Sequence, residues 1–407
     1  MNIIYIHQYF LTPEQGGATR SYHLAKGLVE QGIGVEMIST HNKPFYDLKI
    51  IDGIRVHYLP VAYDQNYGFI KRIWAFYKFV LASKKWIKKL PRPDYLYITS
   101  TPLTTGLVGL WAKRKFALPY IFEVRDLWPD APIQVGAIRN PFAKKLLYAL
   151  EQRIYQQALK IVALSPGIAD NIRKKCPQAD LHIIPNFADT EIFKKEKKSE
   201  PLLEKYGLKN TLTITYSGAI GKVNAVEEIL DLARIAKAQD LPFQFVVMGK
   251  GSKLPDLLNK AKKLHLENFH HIPFGSKKAV NEVLNQSDIA FISFDHLPVL
   301  KTNSPNKFFD AIATGKAIFV NHKGWVHDLV KHFQIGYYYN SKNPNDGIEK
   351  LKLLASEPHL LNEMQNNAKS LSEEYFTKEI AVSRLLFVLY PKKFGGRTTD
   401  EVYILTA

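Results

Sequence analysis

The stretch NIIYIHQYFLTPEQGGATRSYHLAKGLVEQGIGVEMIST, residues 2–40, decides the fold class. It begins with a β-rich run, passes through a loop with two adjacent glycines, continues as a helical pattern that ends at Gly32, and closes with a second β-rich run. Strand, glycine loop, helix and strand form one βαβ unit, whose two strands lie parallel. The sequence therefore predicts an α/β fold built on a parallel sheet.

The same pattern starts again in the second half of the chain. TLTITYSGAIGKVNAVEEILDLARIAKAQ, residues 211–239, is again a strand, a glycine turn and a helix. The chain has 407 residues, 46% of them hydrophobic, which is enough for two buried cores. We predict two Rossmann-like domains, 1–190 and 208–370, joined by the charged segment 189–210, and a C-terminal helix at about 375–407 that packs back on the first domain.

The composition limits the class of protein. Cys176 is the only cysteine, so no intrachain disulfide forms, which fits a reducing compartment. The N-terminus is apolar but short and lacks a basic head, so we interpret it as a strand and not as a signal peptide. No run reaches the ~18–20 apolar residues that span a bilayer. The net charge of +17 predicts an anionic partner: nucleic acid, an anionic membrane surface or phosphorylated small molecules.

Part of this charge is concentrated in FIKRIWAFYKFVLASKKWIKKLPR, residues 69–92. Apolar residues recur there at helical spacing, and basic residues fill much of the rest. This pattern is typical of an interfacial helix on anionic lipid, but an ordinary amphipathic helix with a solvated lysine face has it too. The residues considered for contact with an acceptor or a membrane are Arg20 and, in this segment, Lys71, Arg72, Trp74, Lys78, Lys84, Lys85 and Trp86.

Ligands of doubly wound sheets bind at the carboxyl ends of the strands, where two loops of the first domain carry suitable residues. Gly16 and Gly17 follow the first strand and allow a backbone to approach a phosphate or a sugar closely, although a plain tight turn needs them equally. Arg20 lies one turn into the next helix, where it could meet an anion. Arg125 and Asp126 directly follow the strand at 120–124, either as binding residues or as a structural ion pair.

The second domain has two comparable loops. Gly218 and Gly221 make a turn with Lys222 beside it, which resembles a phosphate cradle but equally fits a βα turn with a solvated lysine. The turn is neither a Walker motif nor a full G-x-G-x-x-G fingerprint, so a nicotinamide cofactor is disfavoured. In SPNKFFDAIATGKAIFV, residues 304–320, Lys307 on the first helical turn can bind a diphosphate, and Asp310 can accept hydrogen bonds from a ribose diol.

These motifs together resemble the family 4 retaining glycosyltransferases of the GT-B fold. The resemblance covers the chain to about residue 390 and is closest to the bacterial branch of N-acetyl-fucosamine transferase-like enzymes of surface-polysaccharide synthesis. It implies two Rossmann-like domains that face each other across a cleft, the first for the acceptor and the second for the nucleotide-sugar donor. Similar two-lobed alternatives are a nucleotide-sugar 2-epimerase, which would need acid and base residues clustered in the cleft, and a periplasmic binding protein, which would need a signal peptide.

The resemblance also assigns roles to individual residues. Asp310 matches the second acid of the family's E-x7-E motif, but Thr302 stands in place of the first. Backbone N–H groups of Asn303 and Ser304, with those of Asn306 and Lys307 at the helix start, would then contact the donor. Lys222 and Gly17 match the residues that hold the diphosphate, with Gly16 and Gly218 beside them. Arg125-Asp126 replaces the His-Asp pair of many relatives.

These positions imply a mechanism without a metal or a cofactor. Lys222, Lys307 and helix N-termini would stabilise the leaving diphosphate, and no D-x-D pair is present to hold a metal. The resemblance implies attack on the face that the leaving group departs from, with the leaving phosphate as the base. Asp126 is the candidate base among the side chains, with Arg125 beside it. UDP is the expected nucleotide by family frequency.

The expected acceptor is a glycan or a lipid-diphosphate-linked sugar. The helix at 69–92 would hold the enzyme on the anionic inner membrane, as a peripheral protein on its cytoplasmic side. A nucleic-acid-binding protein is the remaining alternative for the charge of +17, but it should show a recognised binding module.

Overall fold

A computed structural model describes residues 1–64 and 67–395. Two compact units are present. Within the described residues, the first contains Met1–Pro13, Gly17–Pro185 and residues 379–395, and the second contains Glu14–Gly16 and Asn186–Lys378. The two α/β units with parallel sheets confirm the predicted fold class.

The first unit has an eight-stranded sheet in the order β3-β4-β2-β1-β5-β6-β7-β8, parallel except for the β3–β4 hairpin. Its strands are β1 Asn2–Ile6, β2 Gly34–His41, β3 Asp47–Ile51, β4 Ile54–Pro60, β5 Tyr95–Thr99, β6 Tyr120–Val124, β7 Lys160–Ala163 and β8 Leu181–Ile183. Its helices are α1 Arg20–Glu30, α2 Phe69–Ile87, α3 Gly106–Phe116, α4 Asp130–Gln134, α5 Pro141–Gln157 and α6 Pro166–Lys175. The chain leaves β1 on one side and later reaches β5 on the other. The topological switch point of this sheet therefore lies between these two strands.

The second unit has a six-stranded parallel sheet in the order β11-β10-β9-β12-β13-β14. Its strands are β9 Leu212–Ala219, β10 Phe243–Lys250, β11 Phe269–Pro273, β12 Ile289–Ile292, β13 Ala317–Val320 and β14 Gly336–Tyr338. Its helices are α7 Glu200–Tyr206, α8 Glu228–Ala238, α9 Leu254–Lys263, α10 Lys277–Asn285, α11 Asn306–Ala313, α12 Trp325–His332, α13 Pro344–Ser356 and α14 Pro358–Tyr375. The order reverses between β9 and β12, so the switch point of this sheet lies there.

A final helix, α15 at Lys378–Leu389, belongs to the first unit from Glu379 onward. A Cβ atom added to Gly27 of α1 would overlap Val382, so the absence of a side chain there lets the two helices pack closely. Lys160 Nζ donates to Val388 O at 2.8 Å, and Tyr390 OH donates to Asp94 Oδ2 at 3.0 Å. The predicted return of the C-terminal helix is therefore present up to residue 389, and the part of that prediction beyond residue 395 lies outside the described residues.

The predicted junction was misplaced. The boundary between the units falls between Pro185 and Asn186, and the charged segment 189–210 is an ordered part of the second unit. Lys194 N and Glu196 N donate to Asn281 Oδ1 and Asn285 Oδ1 at 3.2 and 2.9 Å. A polar sequence indicated a linker here, but its backbone is held by asparagine side chains of α10.

Candidate functional site

The first candidate site lies at the switch point of the second unit and is centred on Lys307. This lysine is on the first turn of α11, and its Nζ donates to Tyr216 OH and to Ser293 O, both at 3.1 Å. Tyr216 is on β9 and Ser293 directly follows β12, so the ammonium group lies where the two strands diverge. It also lies 4.2 and 4.3 Å from the ring centres of Tyr216 and Phe294.

The charge of Lys307 has no carboxylate partner within the described part of the chain. Burial lowers the pKa of Lys307 to about 7, because no anion offsets the loss of solvation. A bound phosphate would supply that anion and favour the charged form of the lysine. The surroundings of Lys307 are therefore a candidate anion site.

Lys222 belongs to the same loop cluster. It begins the short 3-10 helix Lys222–Asn224 and its side chain is exposed. Asp295 N donates to Val223 O at 3.0 Å, and Ser293 Oγ donates to Asn224 O at 2.7 Å. The loop that follows β12 therefore contacts both Lys307 and the short helix that begins at Lys222. Gly218 is the next-to-last residue of β9 and has φ of +149°, and a Cβ at its neighbour Gly249 would overlap the Gly218 carbonyl.

Asp310, which was predicted to accept hydrogen bonds from a ribose, already has a partner within the chain. Lys277 Nζ on α10 lies 2.7 Å from Asp310 Oδ2, and both side chains are largely buried. Burial raises the pKa of Asp310, and the charge of Lys277 partly offsets this rise. Lys277 occupies one carboxylate oxygen, which leaves Oδ1 to accept a hydrogen bond from a ligand.

The backbone donors expected before α11 are only partly available. Asn303 N donates to Leu300 O at 3.2 Å, so the prediction that this N–H contacts the donor is wrong. Ser304 Oγ accepts from Asn186 N at 3.1 Å and Ser304 O accepts from Asn186 Nδ2 at 2.6 Å, but its N–H is not used in the described chain. Asn306 and Lys307 open α11 without a side-chain cap, so their N–H groups remain available for an anion.

The second candidate site lies at the switch point of the first unit. Arg125 follows β6, and its Nη1 lies 3.2 Å from His7 Nε2. Its backbone N–H donates to Ser100 Oγ at 2.9 Å, and Asp126 beside it is exposed. Arg125 and Asp126 therefore do not form the structural ion pair that was one interpretation of this motif. His7 and Ser100 were missed because both lie inside the β-rich runs of the sequence, whereas in the structure each directly follows a strand.

Arg20 was wrongly predicted to meet an acceptor or a membrane. Its side chain is buried, and its Nε lies 2.9 Å from Glu123 Oε1. Its Nη1 and Nη2 donate to the carbonyls of Pro185 and Ile184 at 2.5 and 2.8 Å. Arg20 therefore ties α1 to the carboxyl ends of β6 and β8. Gly16 and Gly17, which precede it, have φ of +72° and +80°, a conformation that favours glycine.

The helix predicted at residues 69–92 is present as α2, and one of its faces is exposed. The large apolar residues on that face are Ile70, Ile73, Trp74, Tyr77 and Leu81, with Lys71, Lys78 and Lys85 beside them. Three predicted contact residues are not on it. Trp86 stacks on Tyr46 with ring centres 4.1 Å apart, Lys84 lies 5.8 Å from the ring of Trp111, and Arg72 is half-buried.

Two Rossmann-like α/β units, each with its own sheet and switch point, are the components of the GT-B fold class. The "Glycosyl transferase 4-like domain" family matches residues 15–186, and the "Glycosyl transferases group 1" family matches residues 198–371. The chain belongs to this two-domain family of glycosyltransferases.

Individual relatives are distant. The chain is 21% identical over 324 residues to "Probable glycosyltransferase WbjE" of Pseudomonas aeruginosa, covering 76% of this chain and 78% of the relative. Sucrose-phosphate synthase from Thermosynechococcus elongatus has a similar structure, with a TM-score of 0.78, 15% identity, and coverage of 97% and 99% of the two chains. Anabaena HepE in complex with UDP-glucose has a TM-score of 0.69 at 14% identity, covering 96% and 100%. These two structures share the fold with this chain.

Proposed function

We propose that the protein is a retaining glycosyltransferase that moves a sugar from a UDP-sugar to a glycan or polyprenyl-diphosphate-linked acceptor in bacterial surface-polysaccharide synthesis. The observation that carries the proposal is the half-buried ammonium group of Lys307, which is hydrogen-bonded to Tyr216 OH and has no carboxylate partner in the described residues. The relative HepE is known in complex with UDP-glucose, and WaaG, which shares the fold at 13% identity and a TM-score of 0.67, is described as involved in lipopolysaccharide biosynthesis.

In the proposed reaction, the bond between the anomeric carbon and the diphosphate oxygen breaks, and an acceptor hydroxyl oxygen bonds to the same carbon on the same face. The hydroxyl proton passes to the leaving phosphate, with Asp126 as the alternative base. Lys307, Lys222 and the open N–H groups of Asn306 and Lys307 stabilise the negative charge of the leaving diphosphate. We propose that this set of donors acts without a metal ion.

We expect UDP at ~100 times its Kd to raise the free energy of unfolding by about 2.7 kcal/mol and, with it, the melting temperature of the protein. Lys222→Ala removes a contact to the phosphate. Asp310→Asn removes the negative charge that accepts hydrogen bonds from the ribose hydroxyls. Each substitution should weaken UDP binding about tenfold or more. Asp310→Asn is preferred to alanine because Lys277 keeps an oxygen to bond. The measurement is a thermal-shift titration with UDP and GDP.

The matched control is Lys352→Ala, which removes an exposed lysine from α13 and should bind UDP normally. Consumption of the UDP-sugar that depends on an added acceptor would support transfer. Conversion of the UDP-sugar into its epimer without any acceptor would support the epimerase. Normal UDP affinity in both Lys222→Ala and Asp310→Asn would contradict the assigned site.

We further propose that one helical layer of the first unit contacts an anionic membrane. Among the described residues, no helix is long and apolar enough to cross a bilayer. α2 packs on α3 and α3 packs on α5, so the three helices form a continuous layer. α2 and α3 contain no acidic residue, and the single acid of α5, Glu151, is buried beside Lys175 at 2.9 Å. Ile70 is 83% exposed on α2 and Phe142 is 86% exposed on α5.

The double variant Ile70→Ser and Trp74→Ser should bind vesicles that contain phosphatidylglycerol at least about tenfold more weakly. Each large apolar side chain contributes roughly 1.5–3 kcal/mol when it leaves water. The measurement is co-sedimentation with the vesicles, and added salt should also weaken binding. Leu353→Ser, on an exposed position of α13, is the control. Equal binding by the double variant and the control would refute this membrane contact.

A further inference from the structure

The switch point of the first unit holds polar groups that no part of the described chain satisfies. β1 and β5 are adjacent and parallel, and the chain departs from them in opposite directions. His7 and Gln8 directly follow β1, and Ser100 directly follows β5. Parallel sheets bind ligands at this position because the diverging loops leave a crevice there.

The tautomer of His7 follows from its neighbour. His7 Nε2 lies 3.2 Å from Arg125 Nη1, and a guanidinium group only donates hydrogen bonds, so Nε2 is an acceptor. Burial, aided by the charge of Arg125, lowers the pKa of His7 well below its ordinary value, so the ring is neutral. The single ring proton is therefore on Nδ1, which is buried and has no partner among the described residues.

Gln8 adds two further groups of this kind. Its side chain is 0% exposed, and neither Nε2 nor Oε1 has a hydrogen-bond partner within the described chain. Its backbone carbonyl, in contrast, accepts from Thr40 Oγ1 at 2.8 Å and fixes the loop. A buried polar group without a hydrogen-bond partner destabilises the folded protein. Three such atoms on consecutive residues therefore indicate a site whose partners arrive with a ligand.

We propose that His7 and Gln8 form the subsite for the ring hydroxyl groups of the acceptor sugar. The subsite offers one N–H from His7 and both a donor and an acceptor from the Gln8 amide, and all three are uncharged. Sugar hydroxyls both donate and accept hydrogen bonds, so they complement this set, whereas a phosphate would leave the Gln8 carbonyl oxygen without a donor. Arg125 holds the imidazole ring in the tautomer that donates from Nδ1.

This inference rests on the proposed transferase function and names the residues that select its acceptor. The probe acceptors are octyl glycosides of glucose, galactose and N-acetylglucosamine, with UDP-glucose and UDP-N-acetylglucosamine as donors. Gln8→Met has a similar volume and no amide. It should raise the KM for an accepted glycoside about tenfold, equivalent to ~1.4 kcal/mol, while the Kd for UDP stays within about twofold.

Two substitutions of His7 separate binding from positioning. His7→Asn keeps an N–H donor near the position of Nδ1, whereas His7→Gln places its amide near that of Nε2, beside Arg125, and leaves no donor near Nδ1. We expect His7→Asn to retain more of the acceptor affinity than His7→Gln. Equal losses in the two variants would indicate a structural role for the ring and would overturn the proposal.

The melting temperature gives a test that needs no acceptor. Gln8→Met removes two unsatisfied buried atoms, so the variant should melt at the same temperature as the unaltered protein or higher. A lower melting temperature, or an unchanged acceptor KM, would overturn the subsite. If no glycoside is accepted, the melting temperature of Gln8→Met decides alone. Failure of the unaltered protein to bind UDP would instead contradict the proposed function.

Discussion

Replacing Lys307 by Met is expected to weaken UDP binding about a hundredfold and to make the nucleotide-free protein more stable. Among the described residues, the ammonium group contacts Tyr216 OH, Ser293 O and two aromatic rings but no carboxylate, so the folded protein bears the cost of partly burying an uncompensated charge. Met fills a similar volume without that charge. The gain in the free energy of unfolding should be about 1–3 kcal/mol, since one pKa unit corresponds to ~1.4 kcal/mol and residual solvation reduces the full effect.

The destabilisation caused by Lys307 decreases as the pH rises. The pKa of Lys307 is about 7 in the folded protein and about 10.4 in the unfolded chain, so the unfolded chain binds the proton more tightly. The destabilisation is complete below about pH 7 and disappears as the pH rises through 10.4. The advantage of Lys307→Met should therefore be largest at and below neutral pH and should shrink toward pH ~10.

The measurements are urea unfolding at several pH values and UDP titration by calorimetry. Lys352→Met, which changes an exposed lysine of α13, is the control for both and should leave stability and UDP binding unchanged. UDP affinity that survives in Lys307→Met would remove the main support for the anion site. A lower stability of this variant would show that the lysine has a structural partner.

Replacing Glu123 by Gln is expected to destabilise the first unit by roughly 3–5 kcal/mol. The variant leaves the buried guanidinium of Arg20 without its counter-ion, although a Gln oxygen can still accept from Arg20 Nε and Tyr97 OH, which lie 2.9 and 3.0 Å from Glu123 Oε1. Burial opposes the ionisation of Glu123, but the charges of Arg20 and Arg125 outweigh it and lower the pKa of this carboxyl group. The charge of Glu123 therefore stabilises the fold above its unfolded pKa of about 4.3, and this contribution is lost as the pH falls below that value.

Thermal and urea unfolding of the first unit measure this effect. The control is Lys26→Gln, which removes one partner of the exposed Lys26–Glu30 pair on the same helix α1. Exposed pairs contribute about 0–1 kcal/mol, so the control should unfold nearly as the unaltered protein does. A Glu123→Gln variant that unfolds like this control would show that the buried pair is not needed for stability.

Arg20 and Lys307 have similar positions in the sequence but different environments in the structure. Both are lone cations at the start of a helix that follows a parallel strand, and both were predicted to meet an anion. Arg20 finds Glu123, which is 103 residues away in the chain, whereas Lys307 finds no carboxylate in the described residues. The chemical environment of each cation depends on which strands become neighbours, and no local pattern reports that.

The side-chain partners of Asp310 and His7 were likewise not predictable from the sequence. The position of Asp310 on the first turns of a helix was predictable, but its pairing with Lys277 on α10 was not. His7 carries no motif, and its interest arises only because Arg125 lies beside it and its Nδ1 is buried without a partner in the described chain.

The sequence by itself determined the alternation of strands and helices, the two α/β units and the presence of helix α2. These features follow from periodicities of two and 3.6 residues and from glycine turns, which act between residues close in the chain. Only the tertiary structure decided the boundary at Asn186, the burial of Arg20 and the partners of Lys307, Asp310 and His7. Burial and ion pairing are set by segments that are distant in sequence, because the order of strands in each sheet brings their ends together.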